Sequence, residues 1–485
     1  MKLRELLRDV EILAAEADLE TEIEDVVCDS RKVRKGSLFV AVSGFASDGN
    51  RFIPMAMEKG AAVIVTARKP EEAVPYVLVS SDRLALALIS SNFYGRPAES
   101  MTMIGITGTN GKTSSTLLLK QVIEKTLGAK VGLVGTMENK IGDLSIPTER
   151  TTPESIELQA LFARMRDAGC TYVIMEVSSH AVVLERIGGI HFDVAAFTNL
   201  TEDHLDFHKT MDAYCAAKAE LFRRCTRAVI NGDDPYAGAM LAAARDRPVI
   251  LTSQQGKGAL NARDPELEAE GISFTAEAEG EQVRIRIPIP GRFTVYNALT
   301  VLGIARSLGI SLKDAGEALS GVRGVKGRIE VVPTENMPYS VLIDYAHTPD
   351  GLENVIRSVK DFCRGRVITV FGCGGDRDPI KRPIMGKIGV KYSDLAVITS
   401  DNPRTEKPES IIEDILKGVS PDLGAYHVIC DRRQAIRYAM DIAEKDDIII
   451  LAGKGHETYQ EIRGVKYHLD EREEVAAHLQ ELRNA

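Results

Sequence analysis

A glycine-rich turn between a strand and a helix is the feature that most constrains how this chain folds. The turn, residues 108–114 (GTNGKTS), follows the apolar run Met101 to Ile106 and precedes a helical pattern; we call it the glycine loop. When a strand, a glycine-rich turn and a helix follow one another, backbone N–H groups and the helix N-terminus face a bound phosphate. In this motif Lys112 supplies a positive charge and Thr113 can hold Mg²⁺. Because Ile106 stands where the usual Walker pattern has a glycine, the sequence predicts a compact variant of a nucleotide-phosphate site.

The length, charge and cysteines of the chain exclude several classes of protein. Its 485 residues are too many for one core, so we expect two to four domains. A net charge of -10 argues against nucleic acid as the main partner. The 7 cysteines form no C-x-x-C pair, which indicates free thiols in a reducing compartment. The charged N-terminus is no signal peptide, and no apolar run approaches the ~18 residues that span a bilayer, so we predict a cytoplasmic protein.

Turn signals and composition divide the chain into three blocks. Residues 1–97 carry short apolar runs and end in a plausible linker at 95–97, because the residue before a proline leaves the helical region. Residues 98–329 form an α/β block with buried-strand candidates and a more β-prone segment near 271–290. Residues 330–485 repeat a strand–loop–helix pattern four times. The sequence therefore predicts an α/β protein.

In the third block, each apolar run ends in a cluster of glycine and charged residues. Ligands of open parallel sheets bind in the crevice outside the carboxyl ends of the strands. For one such loop, turn formation by Gly, Asp and Asn is the simpler interpretation. Four such loops, two of them with arginine, favour a ligand site. The four runs are Val341 to Ile343, Val367 to Phe371, Leu395 to Thr399 and Ile448 to Leu451.

Two further segments of the central block carry candidate metal ligands. Glu176 closes an apolar run, where a carboxylate is costly unless it is paired or bound to metal. Its expected place at the carboxyl edge of the sheet, beside the glycine loop, favours Mg²⁺ over a structural ion pair. Residues 199–208 are dense in further ligands, but no cysteine pair supports a zinc site. For His208 alone, we expect a hydrogen-bonded surface residue.

In combination these motifs resemble the Mur ligases, ATP-dependent amino-acid-adding enzymes of peptidoglycan precursor synthesis. Residues 29–31 (DSR) look like the uridine-nucleotide domain of the member that adds the third residue. Residues 401–404 (DNPR) are similar to the branch that adds meso-diaminopimelate, from which the lysine-adding branch differs. The other matching segments are Gly108 to Ser114, Glu176 to His180, Asp203 to Asp206, Tyr296-Asn297, Gly327-Arg328 and Asp344 to His347.

The resemblance implies a fold and a set of partners. The implied fold is α/β with three domains. They are a small N-terminal α/β domain that binds the UDP substrate (1–97), a central P-loop-type, mostly parallel sheet with flanking helices that binds ATP (98–329), and a C-terminal Rossmann-like open sheet that binds the amino acid (330–485). The implied substrates are UDP-MurNAc-L-Ala-D-Glu, meso-diaminopimelate and ATP, with Mg²⁺ as cofactor. We expect a monomer.

The reaction implied by the resemblance joins two anions before it forms an amide. A carboxylate attacks the γ-phosphate of ATP to give an acyl phosphate, and the incoming amine then displaces phosphate, so neutralising charge and positioning should dominate catalysis. Lys218 matches a carbamylated lysine, whose anionic oxygens suit Mg²⁺; a solvated helix lysine is the alternative. The implied catalytic residues are Lys112, Glu176, His204, Lys218 and Arg328, and the implied metal ligands are Thr113, Glu176, His204 and Lys218.

The resemblance also assigns the three substrates to particular residues. For ATP these are Gly108, Thr109, Asn110, Gly111, Lys112, Thr113, Ser114, Asn297, Arg328 and Asp344. For the UDP-muramyl dipeptide they are Ser30, Phe45, Ala46, Ser47, Thr151, Thr152, Ser178 and Arg186. Leu184 stands where some relatives have glutamine, and the uridine segment lacks a histidine that some relatives have. For meso-diaminopimelate they are Arg377, Asp401, Asn402, Pro403, Arg404, Gly453 and Glu457.

Arg404 carries the choice of amino acid. A guanidinium holds the far carboxylate of diaminopimelate through two hydrogen bonds and repels the bare ammonium of lysine. Three alternatives remain: a lysine-adding ligase, an enzyme similar to folylpolyglutamate synthetase, which shares the glycine-loop variant, and a nucleotide-regulated binding protein without ligase activity.

Overall fold

The computed structural model describes residues 1–44, 48–148, 150–268, 271–322, 324–334, 337–420 and 422–484. The chain divides into two compact units, Met1–Leu251 with Gly303–Gly309, and Thr252–Leu302 with Ile310–Ala485. The three-domain boundaries at 97 and 329 stay a prediction. Three residues expected at the uridine end lie outside the described residues: Phe45, Ala46 and Ser47.

The first unit begins with a five-stranded sheet. The strands follow the order β1-β5-β4-β3-β2, and β1 alone runs antiparallel to its neighbour. Alternate residues of β3 enter separate hydrophobic cores, Leu38 and Val40 on one face and Phe39 and Ala41 on the other, as the two-residue repeat of a strand requires. The elements are α1 (Leu3–Leu6), β1 (Ile12–Ala15), β2 (Asp25–Val27), β3 (Ser37–Ala41), α2 (Ile53–Glu58), β4 (Val63–Thr66), β5 (Tyr76–Val79) and α3 (Asp82–Phe93).

A second sheet follows in the same unit. Five of its strands are parallel in the order β12-β11-β6-β10-β7, and β8 and β9 continue it antiparallel. The elements are β6 (Thr102–Thr107), α4 (Lys112–Leu127), β7 (Val131–Val134), β8 (Asn139–Ile141), β9 (Leu144–Ile146), α5 (Ser155–Asp167), β10 (Tyr172–Glu176), α6 (Ser179–Val183), β11 (Phe192–Phe197), α7 (Leu205–His208), α8 (Met211–Ala219), β12 (Cys225–Asn231), α9 (Ala237–Ala244) and β13 (Val249–Ser253).

The strand register places the candidate residues of this sheet at one edge. Glu176, the last residue of β10, lies opposite Ile106 in the neighbouring strand β6. Because both strands end here, the glycine loop that follows β6 and the carboxylate that closes β10 share the carboxyl edge. The strand–turn–helix prediction and the predicted buried strands of this block are confirmed, with ends that shift by one to three residues.

The second unit contains an antiparallel meander and a largely parallel sheet. The meander β14-β15-β16 confirms the β-prone segment. Its elements, and the helices after it, are β14 (Leu260–Glu268), β15 (Gly271–Ala278), β16 (Glu281–Ile287), α10 (Phe293–Ser307) and α11 (Leu312–Ser320). The remaining elements are β17 (Glu330–Val332), β18 (Ser340–Asp344), α12 (Pro349–Lys360), β19 (Val367–Phe371), α13 (Lys381–Tyr392), β20 (Leu395–Ile398), α14 (Pro408–Leu416), β21 (Tyr426–Val428), α15 (Arg432–Asp441), β22 (Ile448–Ala452), β23 (Tyr459–Ile462), β24 (Val465–His468) and α16 (Glu471–Asn484).

The largely parallel sheet brings the four predicted loops together. Its order is β17-β18-β22-β19-β20-β21, and all neighbours except β17 and β18 pair in parallel. The four strands that were expected to end in ligand loops, β18, β22, β19 and β20, are therefore adjacent, with their carboxyl ends at one edge. Hydrophobic clusters cover both faces of this sheet. The predicted α/β class is confirmed.

The cysteines and the helices agree with two further expectations. All seven cysteines are free thiols. Within the described ranges, no helix is both long and apolar enough to cross a membrane.

Candidate active site

The glycine loop adopts a backbone that needs glycine. Gly108 has a φ of +151°, and a Cβ on it would lie 1.9 Å from the Thr198 hydroxyl. Gly111 has a φ of +85° and caps helix α4, which starts at Lys112. The Lys112 ammonium donates hydrogen bonds to the carbonyls of Gly108 and Thr109, both at 2.8 Å. The loop thus holds its cation against neutral acceptors, which anionic phosphate oxygens can replace.

Residues that follow β11 hold the glycine loop from the side. The Asn110 N–H donates to Asn199 Oδ1 at 2.9 Å, and its carbonyl accepts from the Thr198 hydroxyl at 2.6 Å. The Thr109 hydroxyl lies 3.2 Å from that of Tyr214 on α8. Thr198 and Tyr214 were not predicted as site residues, because their contacts span about ninety to a hundred residues of chain. Parallel pairing of β11 with β6 brings Thr198 and Asn199 to the loop, and α8 brings Tyr214.

Lys218 on α8 is buried directly behind the loop. Its side chain is 1% exposed, and its Nζ donates to the Gly108 carbonyl at 2.8 Å and lies 4.5 Å from the centre of the Tyr214 ring. Burial, together with the positive charge of Lys112, holds the pKa of Lys218 well below its ordinary value. The alternative of a solvated helix lysine is wrong, because the side chain is buried.

Glu176 is buried without a cationic partner among the residues that the structure describes. Its two carboxylate oxygens accept hydrogen bonds from the backbone N–H and the hydroxyl of Thr136, each at 2.9 Å. Thr136 follows β7 and was not predicted as a site residue. The contacts orient the carboxylate but leave its negative charge unpaired, which agrees with a cation-binding role better than with a structural ion pair.

Three histidines meet between α6, α7 and α8. The ring centroid of His180 lies 4.9 Å from that of His204 and 5.6 Å from that of His208. Burial lowers the pKa of all three, to about 4 for His208. The surface position expected for His208 is wrong: its ring is buried and lies 2.8 Å from the Ser179 hydroxyl. His204 is neutral near pH 7 and keeps an imidazole nitrogen available to a metal.

Of the donors expected to hold Mg²⁺, the two oxygen donors fit that ion, whereas His204 offers a nitrogen. Thr113 offers a hydroxyl, Glu176 a carboxylate without a cationic partner, and His204 a neutral imidazole. The described residues contain no group of three or more His, Cys, Asp or Glu side chains that could hold a metal. Lys218 could add an oxygen ligand only after its amine gains a carboxyl group.

The residues expected at the muramyl dipeptide lie around the end of β10. The Thr152 hydroxyl donates to the Glu176 carbonyl at 2.8 Å and accepts from the Ser178 N–H at 3.2 Å. Arg186 donates to the Thr152 carbonyl at 3.0 Å and pairs with Glu154 at 2.6 Å. Thr151 joins them, because its hydroxyl lies 3.0 Å from that of Thr136. Glu154, the partner of the arginine, was not predicted.

Ser30 lies in the connection between β2 and β3 of the N-terminal sheet, in the same unit. It begins the short 3₁₀ helix Ser30–Lys32, which the Asp29 carboxylate caps. Lys32 of this turn and Arg150, the neighbour of Thr151, line one cavity of about 490 Å³. The cavity is thus bordered by near neighbours in sequence of Ser30 and Thr151, but neither of these two residues lines it.

In the second unit, the buried carboxylate of Asp344, the last residue of β18, lies within the influence of the Arg328 charge. The Asp344 carboxylate accepts from the N–H groups of Ile329 and Ala346, both at 2.8 Å. Burial raises its pKa against the opposing charge of Arg328. The Arg328 guanidinium lies 5.1 Å from the centre of the Tyr345 ring. Asn297, the third expected nucleotide residue here, is buried on α10.

A cluster of charged and amide groups lies after β20 and β22. We call Asp401, Asn402, Lys454 and Glu457 the carboxylate cluster. Asn402 donates to Glu457 Oε2 at 2.8 Å, and the Lys454 ammonium lies 3.1 Å from both Asn402 Oδ1 and Glu457 Oε2. Asp401 accepts from the Asn402 N–H at 2.6 Å. Lys454 was not predicted, although it stands in a loop that the strand-end pattern selected.

Arg404 and its neighbours border the carboxylate cluster. Arg404 has a φ of +50°; its guanidinium donates to the Gly375 carbonyl at 2.7 Å and lies 3.4 Å from Glu461. A substrate carboxylate must therefore compete with these two contacts. Gly453, with a φ of +116°, lies against Asp401, since a Cβ there would be 2.6 Å from Asp401 Oδ2.

The other two residues expected in this region differ in burial. Pro403 is buried within the turn, whereas the side chain of Arg377 is exposed. The Arg377 side chain reaches within 3.9 Å of a Cβ built on Gly374, and the same Cβ would lie 2.9 Å from Arg404 Nη1. The structure thus brings Arg377 and Arg404 to the same glycine.

Three protein-family models match successive parts of the chain. The Mur ligase catalytic domain matches residues 22–94, the Mur ligase middle domain matches 106–305, and the Mur ligase glutamate ligase domain matches 327–455. The UDP-N-acetylmuramoyl-L-alanyl-D-glutamate--2,6-diaminopimelate ligase of Clostridium tetani (strain Massachusetts / E88) is 46% identical over 99% of this chain and 100% of its own. The ligase of the same name from Clostridium botulinum (strain ATCC 19397 / Type A) is 47% identical over 95% of this chain and 96% of its own.

A solved structure extends the likeness to three dimensions. It is a UDP-N-acetylmuramoyl-L-alanyl-D-glutamate--2,6-diaminopimelate ligase that is 30% identical, covers 100% of both chains and superposes with a TM-score of 0.75. With relatives this similar along their whole length, the chain belongs to the Mur ligase family.

Proposed function

We propose that the protein is an ATP-dependent, ADP-forming ligase that adds meso-diaminopimelate to UDP-MurNAc-L-Ala-D-Glu in peptidoglycan precursor synthesis. The observation that carries the proposal is the 46% identity over 99% of the chain to a ligase of that name. The residues 401–404 support the same choice of amino acid, because they form the edge of the carboxylate cluster. We propose that the protein acts in the cytoplasm and as a monomer.

The first chemical step joins a substrate carboxylate to the γ-phosphate of ATP. The P–O bond to ADP breaks as the carboxylate oxygen bonds to phosphorus, which gives an acyl phosphate. Lys112 would exchange the carbonyls of Gly108 and Thr109 for phosphate oxygens, and the N–H groups at the start of α4 face the same anion. When bound, Mg²⁺ supplies further positive charge to this step, and the residues that would hold it are Thr113, Glu176, His204 and carboxylated Lys218.

Lys218 has the chemistry needed for carboxylation. Burial lowers the pKa of its amine, which favours the neutral form whose nitrogen lone pair can attack CO₂. Attack on CO₂ forms a nitrogen–carbon bond and releases one proton, and the product is an anionic carbamate. The amine now donates to the Gly108 carbonyl at 2.8 Å, so the new group would form directly behind the glycine loop.

The dipeptide end of the acceptor would bind beside Glu176. Arg186 can hold a substrate carboxylate, because a guanidinium forms two parallel hydrogen bonds with it. Its ion pair with Glu154 and its hydrogen bond to the Thr152 carbonyl fix the arginine in place. Thr151 and Ser178 add hydroxyl groups at the same strand end.

The second step is attack of the amino-acid amine on the acyl phosphate. The amine nitrogen bonds to the carbonyl carbon, the tetrahedral intermediate expels phosphate, and one proton leaves the nitrogen. The carboxylate cluster would bind the ammonium at the far end of diaminopimelate, and Arg404 would bind the carboxylate beside it. Arg377, Pro403 and Gly453 complete the proposed amino-acid site, and Asn297, Arg328 and Asp344 complete the proposed ATP site.

The alternatives are not favoured. A lysine-adding ligase would not need the Arg404 guanidinium, which repels a bare ammonium. A ligase similar to folylpolyglutamate synthetase, or a nucleotide switch without ligase activity, would not account for identity that extends over both units.

A phosphate-release assay tests the proposed function. The enzyme is supplied with ATP, Mg²⁺ and UDP-MurNAc-L-Ala-D-Glu, and meso-diaminopimelate, lysine, glutamate or no amino acid is added. We expect phosphate release that depends on both the dipeptide and meso-diaminopimelate, and that stops when EDTA removes the metal. Release with lysine equal to that with meso-diaminopimelate contradicts the assigned amino acid, and release without any acceptor contradicts ligation.

A further inference from the structure

Lys454, a buried lysine in the carboxylate cluster, has no role of its own in the steps described above. The Lys454 side chain is 0% exposed. Its ammonium lies 3.1 Å from Glu457 Oε2 and 3.1 Å from Asn402 Oδ1, and Asn402 Nδ2 donates to the same Glu457 oxygen at 2.8 Å. These three side chains form a closed triangle of hydrogen bonds. Without Lys454, the Glu457 carboxylate and the Asn402 carbonyl would both lose a buried donor.

One carboxylate oxygen of the same cluster is buried and has no hydrogen-bond partner. Asp401 is more than nine-tenths buried, and its Oδ1 accepts from the Asn402 N–H. Its Oδ2 has no partner among the described residues. This oxygen lies against Gly453, where the absence of a side chain leaves space beside it. A buried acceptor without a donor is the place where a ligand donor gains most.

The charged groups around Asp401 Oδ2 carry a net negative charge that one cation would neutralise. Asp401 and Glu457 are negative and Lys454 is positive, so the carboxylate cluster carries one net negative charge. The nearby Arg432 is neutralised by Glu471, since their side chains are 2.7 Å apart and fully buried. Burial acts to raise the pKa of Asp401, but Lys454 and Arg432 together hold it below its ordinary value. Asp401 is therefore ionised when a substrate arrives.

We propose that Lys454 is a positioning residue for the amino-acid substrate: it fixes Glu457 and Asn402, and so leaves Asp401 Oδ2 as the acceptor for one substrate ammonium. This inference rests on the proposed function and names the chemistry of the same site, which takes an ammonium beside a carboxylate. Lys454 touches no reacting atom in this scheme. Its loss should weaken binding of the amino acid more than it slows the chemical step.

The experiment compares Lys454→Met, which removes the charge at nearly constant length, with Lys454→Arg, which keeps it. We expect Lys454→Met to raise the KM for meso-diaminopimelate roughly 10- to 100-fold, the range for a lost charged hydrogen bond. kcat should fall less than KM rises, and the KM values for ATP and for the muramyl dipeptide should stay unchanged. Lys454→Arg should recover most of the affinity.

Lys466→Met is the matched control. Lys454 and Lys466 lie 5.6 and 4.2 Å from the centre of the same Tyr459 ring, but Lys466 is on an exposed strand of the β23–β24 hairpin. We expect its kinetics to equal those of the wild type. If Lys454→Met does not fold, Lys454→Gln, which keeps a donor without the charge, is measured in its place.

The outcomes separate this inference from the proposed function. No phosphate release by the wild-type enzyme with meso-diaminopimelate overturns the proposed function and the role of Lys454 with it. A wild-type enzyme that works, with an unchanged KM for meso-diaminopimelate in the folded Lys454→Met or Lys454→Gln variant, overturns the role of Lys454 alone. An equal rise in all three KM values also overturns it, because that result indicates a general structural defect.

Discussion

A buried ionisable group loses its charged form more easily behind the glycine loop of the first unit, but keeps it in the carboxylate cluster of the second. Behind the glycine loop, Lys218 meets a neutral carbonyl and the repelling charge of Lys112, so burial prevails and the pKa of the amine falls. In the carboxylate cluster, Asp401 is also buried, but Lys454 and Arg432 outweigh burial and keep the carboxylate ionised. The neighbours of a buried group, rather than its burial, decide which form is present.

This difference between the two regions matches the two ligands that we propose for them, a phosphate at the glycine loop and an amino acid at the carboxylate cluster. A phosphate is recognised by backbone N–H groups and by a cation beside them, an arrangement that depends on the path of the main chain. An amino acid must be told apart from close relatives, which requires side chains of fixed charge at fixed positions. Substitutions that act on the main chain or on single charges should therefore affect the two regions differently.

The largest effect is expected from removing the cation of the glycine loop. Lys112→Ala should lower kcat/KM for ATP-dependent ligation roughly a thousandfold or more, because a charge on the transferred phosphoryl group is lost. ADP release measures this, and thermal melting should stay close to that of the wild type. Lys125→Ala, in the last turn of the same helix, is the control and should remain active. Normal turnover by a folded Lys112→Ala enzyme would separate the glycine loop from catalysis.

The carboxylate cluster should instead lose selectivity when a neighbouring charge is removed. Arg404→Ala should abolish most of a preference for meso-diaminopimelate over lysine of roughly a thousandfold, since an unpaired buried carboxylate costs several kcal/mol. The measurement is kcat/KM for both amino acids. Arg437→Ala removes an exposed arginine paired with Glu481 and should leave the preference unchanged. A full preference in Arg404→Ala would show that another group selects the amino acid.

Substitution of Lys218 tests whether the lowered pKa of its amine serves to form an anionic carbamate. Lys218→Ala should lose roughly a hundredfold or more of the ligation rate, in line with loss of a group that holds or orients a metal. Formate or acetate should restore part of the activity, because a small carboxylate can occupy the vacated anionic position. The same salts should not stimulate the wild type. Full activity of Lys218→Ala without any addition is the result that rules out the carbamate.

The smallest effects concern the main chain of the glycine loop. Gly108→Ala should lower the free energy of unfolding by roughly 3 kcal/mol, because the new Cβ meets Thr198 and the backbone of Asn199. Gly128→Ala, at the other end of α4, should cost only about 1 kcal/mol, since its φ is also positive but nothing lies within 4 Å. Urea denaturation measures both. Equal losses would mean that φ alone, and not the close packing of the loop, requires glycine at position 108.

Much of the fold and of the candidate site followed from local sequence. The strand, glycine loop and helix α4 are contiguous, so their order alone predicts a phosphate-binding turn. The four apolar runs of the C-terminal block predicted the strands, and their polar ends predicted one crowded edge, as the order β18-β22-β19-β20 confirms. The boundary residues at 97 and 329 and the roles of the site residues remain predictions.

Local sequence could not supply the partners of these residues. Thr136 lies 40 positions from Glu176, and Thr198 lies 88 positions from Asn110, yet each pair is joined by a hydrogen bond. His208 was expected to be a hydrogen-bonded surface residue, but it is buried where α7 and α8 pack together. Such contacts arise from strand order and helix packing, which no short segment specifies.

The sequence by itself determined the strand–turn–helix order of the glycine loop and which loops end at the edge of the C-terminal sheet, because both depend on residues that are neighbours in the chain. Only the tertiary structure decided the charge state and orientation of the buried groups. Lys218 lies under Gly108 because α8 packs against the loop that follows β6. Lys454 lies between Asn402 and Glu457 because β20 and β22 end at the same edge of one sheet. Burial and nearby charges, which set the pKa of these groups, exist only once the sheets have formed.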